Sequence, residues 1–239
     1  MGLWETLALD MERHRMVTFV GGGGKTTSIF AMAREARQAG KTVLVTTTTH
    51  MLPHPSLFLA GAGEGERLGE LLAEYGRVTV GTLTPQGKLT GAEDLAACKR
   101  AADIVLVEGD GARLHPLKVP AGHEPVIPPE SDAVAALCGL DCLGEPIGAV
   151  CHRPELVGAL LGKGREAPVE PRDVAEILLS TRGGRKNVGS LPYVCILNKA
   201  DNETRRAQAK TIGALLEEEG VKSAVTAYTE EERGGLLWF

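Results

Sequence analysis

The sequence is poor in aromatic residues and long apolar runs, and it carries no cationic excess. Phe, Trp and Tyr make up 4% of the 239 residues, so the core must be aliphatic, as in a parallel sheet covered by helices. The formal net charge of −5 gives no general attraction to nucleic acid or to an anionic membrane, and we expect neither as a partner. No apolar run reaches the length of about 20 residues that a membrane-spanning helix requires.

Cysteines are also few, and their arrangement excludes two further classes. There are five of them, and no two have CxxC spacing. An odd count without that spacing argues against a disulfide framework and against a zinc ribbon. The first 16 residues include Glu5, Asp10 and Glu12 and therefore lack the apolar centre of a signal peptide. We expect a cytoplasmic protein.

The composition, 43% hydrophobic and 24% charged, can form a substantial core, and the length suits one large domain over residues 1–239. Residues 16–20 predict a buried strand, residues 25–39 a helix and residues 42–46 a second strand, which together form a βαβ unit. Further strands are predicted at 103–107, 133–138, 193–197 and 222–226, and helices at 66–76, 92–101 and 204–219, with short helices beginning at Pro154 and Pro171. Residues 78–80 and 88–90 flank Pro-Gln-Gly and predict a β-hairpin.

A glycine-rich turn stands between the first strand and the first long helix of this unit. Its backbone N–H groups and the helix N-terminus favour an anion, and glycine lets the backbone approach closely. Lys25 is suited to reach the β- and γ-phosphates of a nucleotide, Thr26 to bind Mg²⁺, and Thr27 to lie near the α-phosphate. The predicted phosphate-binding set is Gly21, Gly22, Gly23, Gly24, Lys25, Thr26 and Thr27.

This segment departs from the usual spacing, because Phe19 stands where a first glycine is expected. A shorter loop of the type found in Mur ligases is one explanation, and a plain turn beside a surface lysine is the alternative. The strand before the turn and the helix after it favour phosphate binding. We therefore predict an α/β fold of three layers, similar to P-loop NTPases, with a mostly parallel central sheet and a β-hairpin insertion.

Acidic and hydroxyl side chains follow two of the predicted strands. Glu108 and Asp110 come after residues 103–107, where a carboxylate could hold Mg²⁺ and another could polarise water or substrate. We predict Lys25, Glu108 and Asp110 as catalytic residues, and Thr26, Thr47, Glu108 and Asp110 as metal ligands. Four threonines at 46–49 suggest hydroxyls that face solvent or a ligand, against the alternative of an ordinary β-branched strand end.

A base-recognition motif is predicted after the strand at 193–197. Asn198, Lys199 and Asp201 resemble the Asn-Lys-x-Asp motif of GTP-binding proteins. A carboxylate accepts two donors from guanine, N1–H and the exocyclic amine, and adenine lacks that pair. The alternative is a turn followed by a helix N-cap. We expect Mg²⁺ with GTP or ATP, and we favour GTP.

Together these segments resemble the YqeC family of accessory proteins, which are linked to selenium-dependent molybdenum hydroxylases. Besides residues 21–27, 46–49 and 197–201, the resemblance includes Val-Glu-Gly-Asp-Gly-Ala at 107–112, Pro-Leu-Lys at 116–118, His-Glu-Pro-Val-Ile-Pro at 123–128 and His-Arg-Pro-Glu at 152–155. It implies a role in maturing a selenium-containing molybdenum cofactor. The implied partners are the cofactor or a selenium donor, and a selenium-dependent molybdenum hydroxylase.

The proline-rich loop at 111–130 is the predicted place for a second substrate or partner, because loops of that length are commonly functional. Arg113 and Lys118 could hold an anion such as a phosphate or a pterin phosphate. His123, Glu124, His152 and Arg153 could add proton-transfer or anion-binding groups, and the alternative for each is a solvated or structurally paired side chain.

The reaction itself stays open between three classes. The first is an NTPase or NTP-dependent transferase acting on the cofactor or a selenium donor. The second is a nucleotide-gated chaperone with little chemistry of its own. The third is an ATP-dependent ligase related to dethiobiotin synthetase or Mur ligases. We expect no cysteine to take part, with Cys151 as the least unlikely of the five, because the thiols at 138 and 195 fall in apolar strands.

Overall fold

The computed structural model describes residues 2–51, 59–60 and 67–229. A parallel sheet forms its centre, with the strand order β12-β11-β9-β1-β7-β2-β4-β3. The strands are β1 (Met16–Gly21), β2 (Val43–Thr47), β3 (Leu59–Ala60), β4 (Arg77–Val80), β5 (Thr82–Leu83), β6 (Leu89–Thr90), β7 (Ile104–Glu108), β8 (Leu117–Lys118), β9 (Ala133–Gly139), β10 (Cys151–His152), β11 (Tyr193–Asn198) and β12 (Lys222–Val225).

Helices cover both faces of this sheet. They are α1 (Leu3–Thr6), α2 (Lys25–Gln38), α3 (Leu68–Tyr75), α4 (Leu95–Ala101), α5 (Ile147–Val150), α6 (Pro154–Leu161), α7 (Pro171–Leu179) and α8 (Glu203–Glu218), and a 3₁₀ turn spans Leu140–Cys142. Pro154 and Pro171 begin their helices as predicted, because a proline at the first helical position gives up an N–H that has no partner there.

Side chains of the strands alternate between two apolar layers, which makes the fold three-layered. Val17 and Phe19 of β1 pack with Ile29 and Phe30 of α2 on one face. Val134 and Ala136 of β9 point to the other face, in the cluster that contains α7 and α8. The strand pairs of the central sheet are all parallel in the described residues, so the predicted three-layer α/β fold is confirmed.

The strand order reverses at β1. The chain passes from β1 through α2 to β2, later returns to insert β7 between them, and then builds β9, β11 and β12 on the other side. Ligands of open α/β sheets bind at such a reversal, beyond the carboxyl ends of the strands. The turn after β1 and the segments that follow β7, β9 and β11 therefore converge on one edge.

The hairpin insertion is present, but one of its predicted arms is wrong. Residues 77–80 form β4 of the central sheet, parallel to β2. The antiparallel partner of β6 is β5, at Thr82–Leu83. Val78 and Val80 are buried on the sheet, and this burial placed the apolar stretch in the core rather than in a surface hairpin.

Candidate functional site

The glycine-rich turn is held by the carboxyl ends of neighbouring segments. Gly21, Gly23 and Gly24 have φ values of 94°, 79° and 119°, which side chains other than glycine rarely adopt. A Cβ on Gly23 would lie 2.1 Å from the backbone nitrogen of Gly139. The glycines are therefore required both by conformation and by close approach to β9.

The N-terminus of α2 opens directly from this turn. Its N-cap is Gly24, and no side-chain hydrogen bond caps it among the described residues. The first N–H groups of a helix have no intrahelical carbonyl to bond and carry the positive end of the helix dipole. Lys25 folds back over the turn, and its Nζ donates to the carbonyl of Gly21 at 2.6 Å. This arrangement can hold an anion of phosphate size.

Asp110 lies beneath the turn between two lysines. One of its oxygens is 3.3 Å from Nζ of Lys25 and the other is 2.9 Å from Nζ of Lys118. Both oxygens also accept the N–H of Gly21 at 3.1 Å. With 1% of its surface exposed, Asp110 neutralises and positions Lys25 in this structure. Its predicted role at a metal stays a prediction.

Glu108 and Thr26 meet on the other side of the turn. The hydroxyl of Thr26 donates to Oε2 of Glu108 at 3.1 Å. Burial raises the pKa of Glu108, while Lys25 and the bond from Thr26 act in the opposite direction. A threonine hydroxyl beside a carboxylate is a donor set that Mg²⁺ accepts when phosphate oxygens complete it. The described part of the chain contains no group of three or more His, Cys, Asp and Glu side chains that could hold a metal by themselves.

The threonine segment differs from its prediction. Thr46 and Thr47 are buried, and their hydroxyls donate to the carbonyls of Val80 and Glu108 at 2.9 and 2.8 Å. Thr48 donates to the carbonyl of Val126 at 2.9 Å. The hydroxyls of Thr46 and Thr47 therefore bond to carbonyls of neighbouring strands and do not face solvent, which favours the alternative of an ordinary strand end at these two residues. Thr47 as a metal ligand stays a prediction.

A cavity of about 300 Å³ adjoins the start of α2 on the side of β11. Asn198 is buried there, and its Nδ2 donates to the carbonyl of Gly23 at 2.8 Å. Thr226 donates in turn to Oδ1 of Asn198 at 2.8 Å. The predicted Asn-Lys-x-Asp segment is thus fixed against the glycine-rich turn. The lining residues are Gly24, Thr27, Asp141, Asn198, Lys199, Asp201, Arg205 and Tyr228.

Two ion pairs border this cavity, and the sequence reasoning missed one residue of each. Lys199 donates to Asp141 at 2.6 Å, and Arg205 lies 3.3 Å from Asp201. Asp141 follows β9 just as Glu108 ends β7, so its place after a buried strand was an available signal. Arg205 lies in the first turn of α8, four residues after Asp201, and this short spacing was an available signal for the pair.

The predicted second-substrate residues join a buried ionic network. Nζ of Lys118 donates to Glu124 at 2.9 Å and to the carbonyl of Gly111 at 2.7 Å. Arg153 donates to the same oxygen of Glu124 at 2.7 Å. With the pairs of Asp110, the contacts run without interruption from Lys25 to Arg153.

The histidines of this region differ in exposure. His152 is buried, and burial, followed by the charges of Arg153 and Lys118, lowers its pKa to about 4. His123 is exposed, with Nε2 4.0 Å from Glu124. Arg113 is exposed but close enough for its charge to act on His152. The structure therefore brings five of the six predicted residues together and leaves His123 at the rim.

All five cysteines are buried free thiols. Burial raises the pKa of Cys151 to about 12, and the thiols of Cys138 and Cys142 lie 3.8 Å apart. A reactive cysteine needs an accessible thiolate, so this burial agrees with the expectation that no cysteine takes part.

The free energy of unfolding should depend on pH through Glu124. Burial would raise its pKa, but the hydrogen bonds from Lys118 and Arg153 outweigh burial and lower the pKa to about 2. A carboxyl with a depressed pKa stabilises the fold above its unfolded value of 4.5, and that contribution is lost as the pH falls toward 2. Urea unfolding of the wild type should show this loss. Glu124→Gln should be less stable at pH 7 and lack the step, and an identical pH dependence in both proteins would contradict the assignment.

The fold and this arrangement define a P-loop-like α/β protein. Comparison of the sequence with known proteins identifies the family within this class. The family model described as YqeC protein matches residues 17–155. A curated relative named "Uncharacterized protein YqeC", from Escherichia coli (strain K12), is 31% identical over 203 residues, which cover 76% of this chain and 75% of the relative. The chain therefore belongs to the YqeC family.

The family match includes the glycine-rich turn, Glu108, Asp110 and the network up to Arg153. The Asn198 segment lies beyond the matched residues. None of the helices in the described ranges is long and apolar enough to span a membrane.

Proposed function

We propose that this chain binds a nucleoside triphosphate with Mg²⁺ at the glycine-rich turn. The observation that carries the proposal is the uncapped N-terminus of α2, which meets Lys25 and the Thr26–Glu108 pair at the reversal of strand order. The helix N-terminus and Lys25 would hold the phosphates. Thr26 and Glu108 would hold Mg²⁺, which neutralises charge on the phosphate oxygens when it is bound.

The base would enter the cavity beside Asn198. Its volume of about 300 Å³ and its position next to Gly24 and Thr27 suit a base joined to the phosphates. Asp201 on the lining supports GTP over ATP, because its carboxylate can accept both donors of guanine. Lys199 would lie along the base face.

We further propose that nucleotide binding serves the maturation of a selenium-dependent molybdenum hydroxylase, as the family resemblance implies. The protein would act as an NTPase or NTP-dependent transferase on the molybdenum cofactor or a selenium donor, in the cytoplasm, where free thiols such as its five cysteines stay reduced. Hydrolysis stimulated by a small-molecule donor would support transferase chemistry. Stimulation by the hydroxylase alone would support a chaperone, and stimulation by a carboxylate substrate with ATP would support a ligase.

Thermal unfolding tests the nucleotide proposal directly. Binding to the folded state raises its stability by about 2.7 kcal/mol at a ligand concentration 100 times Kd. We expect GTP with Mg²⁺ to raise Tm by several degrees, ATP to raise it less, and Mg²⁺ alone to have little effect. Equal Tm with and without both nucleotides, at millimolar concentration, would remove the proposal.

Substitution of Asp201 tests the base preference. Asp201→Asn replaces one carboxylate oxygen by an amide NH2 group, which cannot accept a hydrogen bond. We therefore expect GTP affinity to fall about 10-fold or more and ATP affinity to change little. Isothermal titration calorimetry measures both. Asp94→Asn is the matched control. Asp94 is the exposed N-cap of α4 and is not among the lining residues of the cavity, and asparagine caps a helix equally well. Equal losses for both nucleotides in Asp201→Asn would contradict guanine recognition.

A further inference from the structure

Strained backbone conformations are concentrated beside the glycine-rich turn. Of the six non-glycine residues with positive φ in the described chain, three are Arg113, Leu114 and Arg153, at 47°, 67° and 61°. Such conformations are strained, and they cluster at active sites and ligand clamps. Two of the three residues are arginines.

A small parallel sheet brings these arginines to one place. β8 pairs with β10, with Lys118 opposite His152. Arg153 directly follows β10, and three residues separate Arg113 from β8. Nη1 of Arg153 lies 3.4 Å from Nδ1 of His152. Burial lowers the pKa of this ring, and the charge of Arg113 also acts on it in the same direction.

Two imidazole rings form the floor of this place. The rings of His115 and His152 are stacked, with centroids 6.0 Å apart and planes inclined by 3°. The carbonyl of His115 accepts the N–H of Gly23 at 3.1 Å. The stacked pair therefore borders the glycine-rich turn.

The donors at this place are not all used by the protein. Arg153 contacts Glu124 and His152 through Nη1, at 2.7 and 3.4 Å, and within the described residues this leaves the N–H groups of Nη2 and Nε for a further acceptor. The acidic neighbour, Glu124, is already shared by Lys118 and Arg153. Asp110 is a second acidic neighbour, 2.9 Å from Lys118. The three cations Arg113, Lys118 and Arg153 still outnumber these two carboxylates, so the local field attracts an anion.

We propose that Arg113, His115, His152 and Arg153 form a second anion site, which binds the phosphate monoester group of a small molecule. Two guanidinium forks match a dianionic phosphate, with more donors than a single carboxylate can use. The neutral imidazole of His152 adds one ring N–H donor, which is present without protonation of the ring at low pH. The site binds its anion independently of the nucleotide; only its use as the place of a second substrate rests on the proposed function.

Histidine NMR of the full chain tests this site with inorganic phosphate as the probe and acetate as the carboxylate comparison. We expect saturable shifts of the His115 and His152 ring signals with phosphate, in the wild type and in Lys25→Ala. Arg113→Gln and Arg153→Gln should each weaken this binding about 10-fold, as loss of a charge-assisted bond predicts. Arg172→Gln, an exposed arginine of α7, should match the wild type.

The results that would contradict this site can be told apart from failure of the nucleotide site. Shifts that vanish in Lys25→Ala and persist in both arginine variants would mean that phosphate binds only at the glycine-rich turn, and the second site would be wrong. Absence of saturation, or equally tight acetate, would also overturn it. Arg113 is exposed, so Arg113→Gln decides the result even where Arg153→Gln fails to fold. The Tm rise with GTP and Mg²⁺ should persist in the arginine variants.

Discussion

Replacement of Lys25 by alanine is expected to weaken nucleoside triphosphate binding about 100-fold or more while the protein stays folded. Lys25 is 6% exposed, and its ammonium group lies over the glycine-rich turn at 2.6 Å from the carbonyl of Gly21. A charge-assisted hydrogen bond contributes about 1.5–3 kcal/mol, and this ammonium can make one to each of two phosphates. Asp110 keeps Lys118 and the N–H of Gly21 as partners, so its charge stays compensated.

The matched control is Lys41→Ala. Lys41 follows the other end of α2, where it pairs with Glu12 on the surface, so its loss removes the same charge without touching the turn. Calorimetric titration with GTP and Mg²⁺ compares the three proteins, and circular dichroism checks their folds. An affinity of Lys25→Ala within twofold of the control would rule out phosphate binding at this turn.

Replacement of Lys118 by methionine is expected to destabilise the fold by about 3–5 kcal/mol. The side chain of Lys118 is 1% exposed and lies 2.9 Å from both Asp110 and Glu124. Methionine keeps most of the aliphatic volume. The loss of stability therefore measures the removal of the cation that Asp110 and Glu124 share. Against a typical total of about 5–15 kcal/mol, such a loss should be plain in urea unfolding.

Lys222→Met provides the comparison for this variant. Lys222 pairs with Glu217 at 3.4 Å, with both side chains more than half exposed, and such surface pairs contribute about 0–1 kcal/mol. The destabilisation of Lys118→Met should shrink as the pH falls, because Asp110 and Glu124, each with one cation fewer, take up protons. Losses below 1 kcal/mol for both variants at pH 7 would show that the network carries no such energy.

Local patterns predicted most of the fold. The strand at β1, the glycine-rich turn and α2 follow from an apolar β-branched run, four glycines and a helical period, which are all properties of neighbouring residues. The hairpin arm at 78–80 was misassigned because a short apolar segment is compatible with a hairpin strand and with a strand of the central sheet. Only its pairing with β2 places it in the central sheet. Thr46 and Thr47 were misjudged for a related reason, since their acceptors lie on strands distant in sequence.

The sequence predicted which residues form the candidate site better than it predicted which of their side chains contact each other. Glu108 ends β7 and Asp110 follows it, and the sequence analysis could not tell which carboxylate had which role. The structure separates them, because Glu108 meets Thr26 while Asp110 lies between Lys25 and Lys118. Asp141 was missed although it follows β9, because its contact with Lys199 joins residues that are 58 positions apart in the sequence.

The sequence by itself determined the parallel α/β architecture, the glycine-rich turn, and the acidic and Asn-Lys-x-Asp segments that follow strands β7 and β11. These features depend on periodicity and on the conformational freedom of glycine, which are local. Only the tertiary structure decided which charges neutralise one another, from Lys25 through Asp110, Lys118 and Glu124 to Arg153. A buried charge is stabilised by partners within about 4 Å, and chain packing brings together partners such as Lys25 and Asp110, which are 85 residues apart in the sequence.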